Sequence, residues 1–149
     1  MDLANRVSTD LRDACALLGS GEFTCVLKRG DVTFTSARRG VAPLLVWLEE
    51  GIDAAGFAAA DRVVGNGAAF LYVLLGVSEV YGAVMSEAAL HTLTRFGIGA
   101  EYGQLVDHIV NRTNTGYCPM EEAVRGIEDP ESAREALVAR LAEMASGDK

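Results

Sequence analysis

Three groups of residues in this 149-residue chain have types and spacings that could do chemistry. The first is Gly65-Asn66-Gly67, a glycine turn between a short strand, Arg62–Val64, and a helical run, Ala68–Leu75, that stops at Gly76. The first amides of a helix have no partner within it, and a negative group placed there is favoured by about 0.3–1 kcal/mol. Such a turn can hold a nucleotide or another phosphorylated ligand. Equally, Gly65 and Gly67 can serve only close packing of helix on strand, and a lone G-x-G does not choose between the two. The second group is Ser36, Arg38, Arg39 and Gly40 in one loop and Arg112 in another. These arginines would bring positive charge to the same crevice, or simply keep an acidic protein in solution. The third group is Cys118-Pro119-Met120-Glu121. A thiol at a helix N-cap has its thiolate stabilised and becomes a nucleophile at neutral pH, although an ionised Glu121 one turn on opposes this. Proline at the first helical position and glutamate at the third also describe a capping box, with Glu121 reaching back to the Cys118 N–H. His108 is a candidate general base for such a nucleophile, or a surface or packing residue.

The elements that position these groups follow from periodicity. Leu3, Val7, Leu11, Ala14 and Leu18 recur at helical spacing over residues 2–18, ended by Gly19 and Gly21. T-C-V-L-K and V-T-F-T-S flank Arg29-Gly30-Asp31 as a hairpin, so the R-G-D reads as turn chemistry ahead of an adhesion signal. Pro43 opens a second helix carrying Leu44, Leu45, Trp47 and Leu48. The alanine-rich 54–60 stretch leads to the central strand, glycine turn and third helix. Val80–Met85 is a buried strand, followed by Ser86 as N-cap of a helix Glu87–Arg95. Tyr102–Val110 is ambiguous: Leu105, Val106, Ile109 and Val110 have helical spacing, but a strand would complete the alternation. N-R-T-N-T-G at 111–116 is loop, and Asp129-Pro130 opens a last helix with Ala133, Leu137, Leu141 and Met144 as its buried stripe. The order α-β-β-α-β-α-β-α-(β)-α predicts an α/β fold: a three-layer α/β/α sandwich on a mixed sheet, antiparallel hairpin first and right-handed parallel crossovers after it.

Composition narrows the partners. Half of the chain is apolar, enough for one domain over residues 1–149. A formal charge of −8 works against nucleic acid as a partner, because phosphate-backbone binding draws on lysines and arginines. No apolar run approaches the roughly 18–20 residues that span a bilayer, and M-D-L-A-N-R-V lacks the features of a signal peptide, so a cytoplasmic location without membrane contact is expected. Cys15, Cys25 and Cys118 are widely spaced and suit reduced thiols; the first two read as core or half-buried filler.

The stretches V-V-G-N-G-A-A at 63–69, V-Y-G-A-V-M-S-E-A-A-L at 80–90 and N-R-T-N-T-G-Y-C-P-M-E at 111–121, in this element order, resemble a small prokaryotic domain family. That family carries a domain-of-unknown-function label and a cytidine deaminase-like fold. Its members often have a lysine where Asn66 stands here, so a lysine–phosphate contact is not carried over, whereas the backbone amides are. Zinc deaminases of that fold place H-x-E or C-x-E and P-C-x-x-C at two helix starts. The corresponding places here are Gly40-Val41-Ala42-Pro43 and Gly65-Asn66-Gly67-Ala68, without a ligand, and His91 and His108 are not paired at ligand spacing. The resemblance implies the fold and not the zinc chemistry, with no metal or cofactor.

Three functions remain. The first is a metal-free binding module whose pocket lies between the start of the second helix and the Gly65–Gly67 turn, taking a nucleotide-like or phosphorylated small molecule. The second is a metal-independent enzyme using Cys118 as nucleophile or sulfur carrier, assisted by His108 or Glu121. The third is a homo-oligomeric scaffold, which would need an exposed apolar patch around Trp47 or Phe70.

Overall fold

The computed structural model describes residues 8–110 and 118–147. Among them, five strands form one mixed sheet in the order β2-β1-β3-β4-β5, with six helices. Strands β1 (Cys25–Arg29) and β2 (Val32–Ser36) are the hairpin, closed by Gly30 and Asp31. Gly30 has φ +57°, the left-handed conformation that lets a two-residue loop follow the strand twist. On its other side β1 runs antiparallel to β3 (Ala58–Val64), and from there β3, β4 (Glu79–Ser86) and β5 (Gly99–Val106) are parallel neighbours. The 102–110 stretch is therefore mainly strand: Glu79↔Gly99 through Ser86↔Val106 set its register on β4.

Strand β3 is longer than its apolar residues suggest. Ala58, Ala59 and Ala60 belong to it and are buried. Alanine favours strands poorly, but here it sits mid-sheet with cover on both faces, and its small side chain lets helix α1 (Thr9–Gly19) come close. Ala14 and Leu18 of α1 pack with Val26 and Ala60 on one face of the sheet. Ser8 caps α1, its hydroxyl accepting the Leu11 N–H at 3.0 Å. Described helix thus starts at Thr9, and Leu3 and Val7 lie outside the described residues.

The opposite face, carrying Cys25, Leu27 and Ala59, is covered by α2 (Ala42–Glu49), α3 (Asn66–Leu75) and α4 (Glu87–Arg95). Trp47 and Phe70 are buried in that core, so they form no exposed patch. Helix α4 is the one its cap foretold: Ser86 Oγ accepts the Ala89 N–H at 3.1 Å. Two helices follow, α5 (Pro119–Ala123) and α6 (Pro130–Gly147), and α6 lays Ala133 and Leu137 against α3. Its stripe stops at half-buried Leu141, since Met144 is 44% exposed. No helix among the described residues is long and apolar enough to cross a membrane.

Candidate functional site

Parallel strands followed by helices leave a crevice beyond the strands' carboxyl ends. Here it is a cavity of about 290 Å³. Its floor is the end of β3 from Asp61 to Val63, and one wall is the start of α3 at Gly65, Gly67 and Ala68. Arg39, Gly40 and Val41, leading into α2, form a second wall; Ile109, Cys118, Met120 and Glu121 close the third. Apolar side chains make most of this surface, and few polar groups converge on it.

Glu121 is the first of these. Its carboxylate accepts the backbone N–H of Asn66 at 2.9 Å, so the first amide of α3 receives its negative partner from the chain itself. The capping box drawn at Cys118 does not form. The Cys118 N–H instead donates to the Ile109 carbonyl at 2.8 Å, and Glu121 is free to reach across to α3. Both glycines are held at close quarters. A Cβ on Gly65 would lie 3.0 Å from the Glu121 carboxyl, and one on Gly67 would lie 3.0 Å from Leu137 Cδ2. Room for Glu121 and for α6 therefore explains these glycines without any outside ligand.

Asp61 is the second polar group, and the residue-by-residue reading of motifs missed it. It is 7% exposed, on the floor of the cavity. Tyr72 Oη donates to Oδ2 at 2.7 Å, and the Val63 N–H lies 3.4 Å from Oδ1. Cys25 Sγ is 3.1 Å from Tyr72 Oη, extending a buried chain of three polar groups beneath the cavity. Burial pushes the Asp61 carboxyl from 3.8 up to about 7, against the lowering effect of the Tyr72 and Val63 hydrogen bonds. The same burial, with the Asp61 charge next, holds the Cys25 thiol and the Tyr72 phenol well above their ordinary values. One signal for Asp61 was present in the sequence: a lone carboxylate inside the strand A-A-A-D-R-V-V.

The other candidates divide. Arg39, Gly40, Gly65, Gly67, Cys118 and Glu121 line the one cavity. Asn66 turns its side chain the other way, its Oδ1 accepting the Thr92 hydroxyl of α4. His108 lines a neighbouring depression with Asn66, Asp107 and Glu121, so that Glu121 separates it from Cys118's cavity. Ser36, at the end of β2, accepts the Arg38 N–H on its hydroxyl at 3.1 Å and shapes the loop. Arg62 reaches back to the Gly21 carbonyl at 2.9 Å. Arg112 and the N-R-T-N-T-G loop lie outside the described residues. Among the described residues, no three His, Cys, Asp or Glu side chains converge as a metal site requires.

Comparison with known proteins gives the lineage. The family described as "Domain of unknown function (DUF1893)", TM1506, matches residues 13–141, nearly the whole chain. The chain belongs to this DUF1893 family. The crystal structure of a DUF1893 family protein (TM1506) from Thermotoga maritima superposes on it with a TM-score of 0.77 at 23% identity, covering 92% of each chain. At that identity the DUF1893 likeness carries the fold alone. No curated protein matches the chain.

Proposed function

We propose that this DUF1893 chain is a metal-free binding module for a nucleotide-like small molecule, on a fold of the cytidine deaminase-like kind that the sequence resemblance implies. Support for the fold is the hairpin-first mixed sheet with parallel crossovers after it. The observation that carries the ligand reading is Glu121, a carboxylate bonded to the Asn66 amide in the wall of a mostly apolar cavity. Because that amide already has an anion, a phosphate has no place on the glycine turn. What the cavity asks for is a flat apolar body with N–H donors, which describes a nucleobase, and any phosphate attached to it would project toward exposed Arg39 at the rim. A volume of about 290 Å³ is at the small end of ligand pockets, suiting a base or nucleoside better than a dinucleotide.

Protein-observed NMR with guanosine, cytidine, adenosine and their 5′-monophosphates tests this. Shifts confined to Val41, Val63, Ala68 and Met120, weakened about tenfold by Glu121→Ala, are expected; no shift at these residues with any of the six ligands sinks the reading.

A second reading, a metal-independent enzyme with Cys118 as nucleophile or sulfur carrier, draws support from one observation: the thiol lines the same cavity as the Asp61 and Glu121 carboxyls. Cys118 alkylation followed over a pH series decides it, since a rate that rises as for an ordinary thiol removes the case for an activated nucleophile.

A further inference from the structure

Asp61 has acceptor capacity that the fold leaves unused. A carboxylate offers about four lone-pair sites on its two oxygens. The protein fills one on Oδ2 with the Tyr72 hydroxyl, and a second on Oδ1 with the Val63 amide at the long distance of 3.4 Å. The group nevertheless forms part of the cavity wall. Among the described residues no salt bridge to Asp61 is formed, and its ionised form has only the hydrogen bonds of Tyr72, the Val63 and Arg62 backbone and Cys25 to offset burial. Of the charged and titratable groups around it, Cys25 of β1 and Tyr72 of α3 sit behind it, and Arg39, Arg62, Cys118 and Glu121 border the cavity. The Arg62 guanidinium is committed to the Gly21 carbonyl, at 2.9 Å. A buried carboxylate lacking a cation is costly unless donors reach it, and the cavity beside Asp61 is a direction from which new donors can come.

We infer that Asp61 is a ligand-recognising carboxyl, which takes from the cavity an amidine-type edge: two parallel N–H donors on one carbon, as on the N1/N2 side of guanine or on a small amidinium ion. This rests on the nucleotide-like reading only for the identity of the ligand. The complementarity is that of a carboxylate with a planar donor pair, two N–H groups onto two oxygens. It deepens the role of the cavity by adding a second acceptor to Glu121 and by making uptake proton-linked. Burial holds Asp61 protonated up to about 7. A neutral donor–donor ligand binds the ionised form and so expels a proton at lower pH.

The test is titration of guanosine and, separately, acetamidinium by calorimetry between pH 5.5 and 8, on wild type and Asp61→Asn. The expected result is an affinity that falls about tenfold per pH unit below 7, with Asp61→Asn at least tenfold weaker at pH 8 and flat with pH. Asparagine keeps an oxygen for Tyr72, and the wild-type pH profile needs no variant at all, so loss of folding cannot mimic the result. Guanosine binding that is equal at pH 5.5 and 8, or equal in Asp61→Asn, overturns this inference and leaves the nucleotide-like reading standing. Acetamidinium binding with the expected profile, where guanosine fails, upholds Asp61 and removes guanine from the nucleotide-like reading. Failure of both ligands overturns this inference, and the nucleotide-like reading falls with it only if the other five nucleosides and nucleotides fail as well.

Discussion

Replacing Asp61 by asparagine should make the protein more stable at neutral pH and not at pH 4. The folded protein holds this carboxyl at about 7 against an ordinary 3.8. Between those values the folded state keeps a proton that the open chain has lost. Each step up in pH therefore favours unfolding, the reverse of the usual salt-bridged carboxylate. At about 1.4 kcal/mol per tenfold, ionising Asp61 inside the fold costs about 4 kcal/mol more than in the open chain, a large share of a typical total of about 5–15 kcal/mol. Asparagine offers Tyr72 the same acceptor and never ionises. Urea unfolding at half-unit steps from pH 4 to 8, on both proteins, should show near-equal stability at pH 4. The variant should then gain steadily through pH 5–7 and level off above it. Other titrating groups cancel in the difference, provided that they do not couple to Asp61. A difference that stays constant within about 0.5 kcal/mol across the series, or one that moves toward the wild type, would show that Asp61 ionises freely and that the buried chain from Cys25 through Tyr72 has been misread.

Glu121→Ala should lower Tm by about 2–6 °C, from about 1–2 kcal/mol for a lost helix-start acceptor, and Glu121→Gln by distinctly less, because its amide oxygen can still accept the Asn66 N–H; equal losses in the two variants would argue against that bond. Gly67→Ala places a methyl 3.0 Å from buried Leu137 Cδ2, so it should destabilise by about 1–3 kcal/mol in urea unfolding, and a neutral result would mean that α6 gives way freely. Of the three cysteines, Cys118 should be alkylated first at pH 7.5 as followed by peptide mass, since burial lifts the Cys15 thiol to about 11 and Cys25 is 2% exposed with its thiol held protonated.

Legibility in the sequence tracked how local the cause of each feature was. Ser86 as a cap, Gly30 in a hairpin and Asp129 before a proline are decided within a few residues, and each is found in place; Asp129, for one, accepts both the N–H and the hydroxyl of Ser132 at 2.9 Å. Ala58–Ala60 could not be seen as strand, because their conformation is imposed by β1 and β4 on either side and by α1 above. Nor could β5 be settled by period. Leu105 and Val106 are spaced as in a helix, yet pairing with Met85 and Ser86 makes them strand. The site divides in the same way. Its walls follow from the glycine turn and from the order of strands and helices, whereas the bond between Glu121 and Asn66 joins residues 55 apart and leaves no trace in either local sequence.

On the proposed binding-module reading, that long-range bond also bears on what kind of molecule the crevice would accept. A bare helix start above a parallel sheet invites an anion, and the glycine turn alone left phosphate binding and close packing both open. After β5 the chain returns through Ile109 and Cys118, and the 2.8 Å bond between them fixes where α5 begins. One turn later Glu121 arrives at the amide of Asn66. The protein thus fills its own anion position and, in doing so, converts an electropositive corner into an acceptor. With Asp61 on the floor, two of the polar residues lining the cavity are carboxyls, beside Thr24, Arg62 and Cys118, and Arg39 lies on its exposed side. An anionic ligand would meet carboxyls inside, Asp61 among them ionised only above about pH 7, and a counter-charge on the exposed side. On the proposed reading a neutral or cationic ring with N–H donors would meet acceptors inside and could still trail a phosphate toward Arg39, which is the polarity of a base held inward and a phosphate held outward.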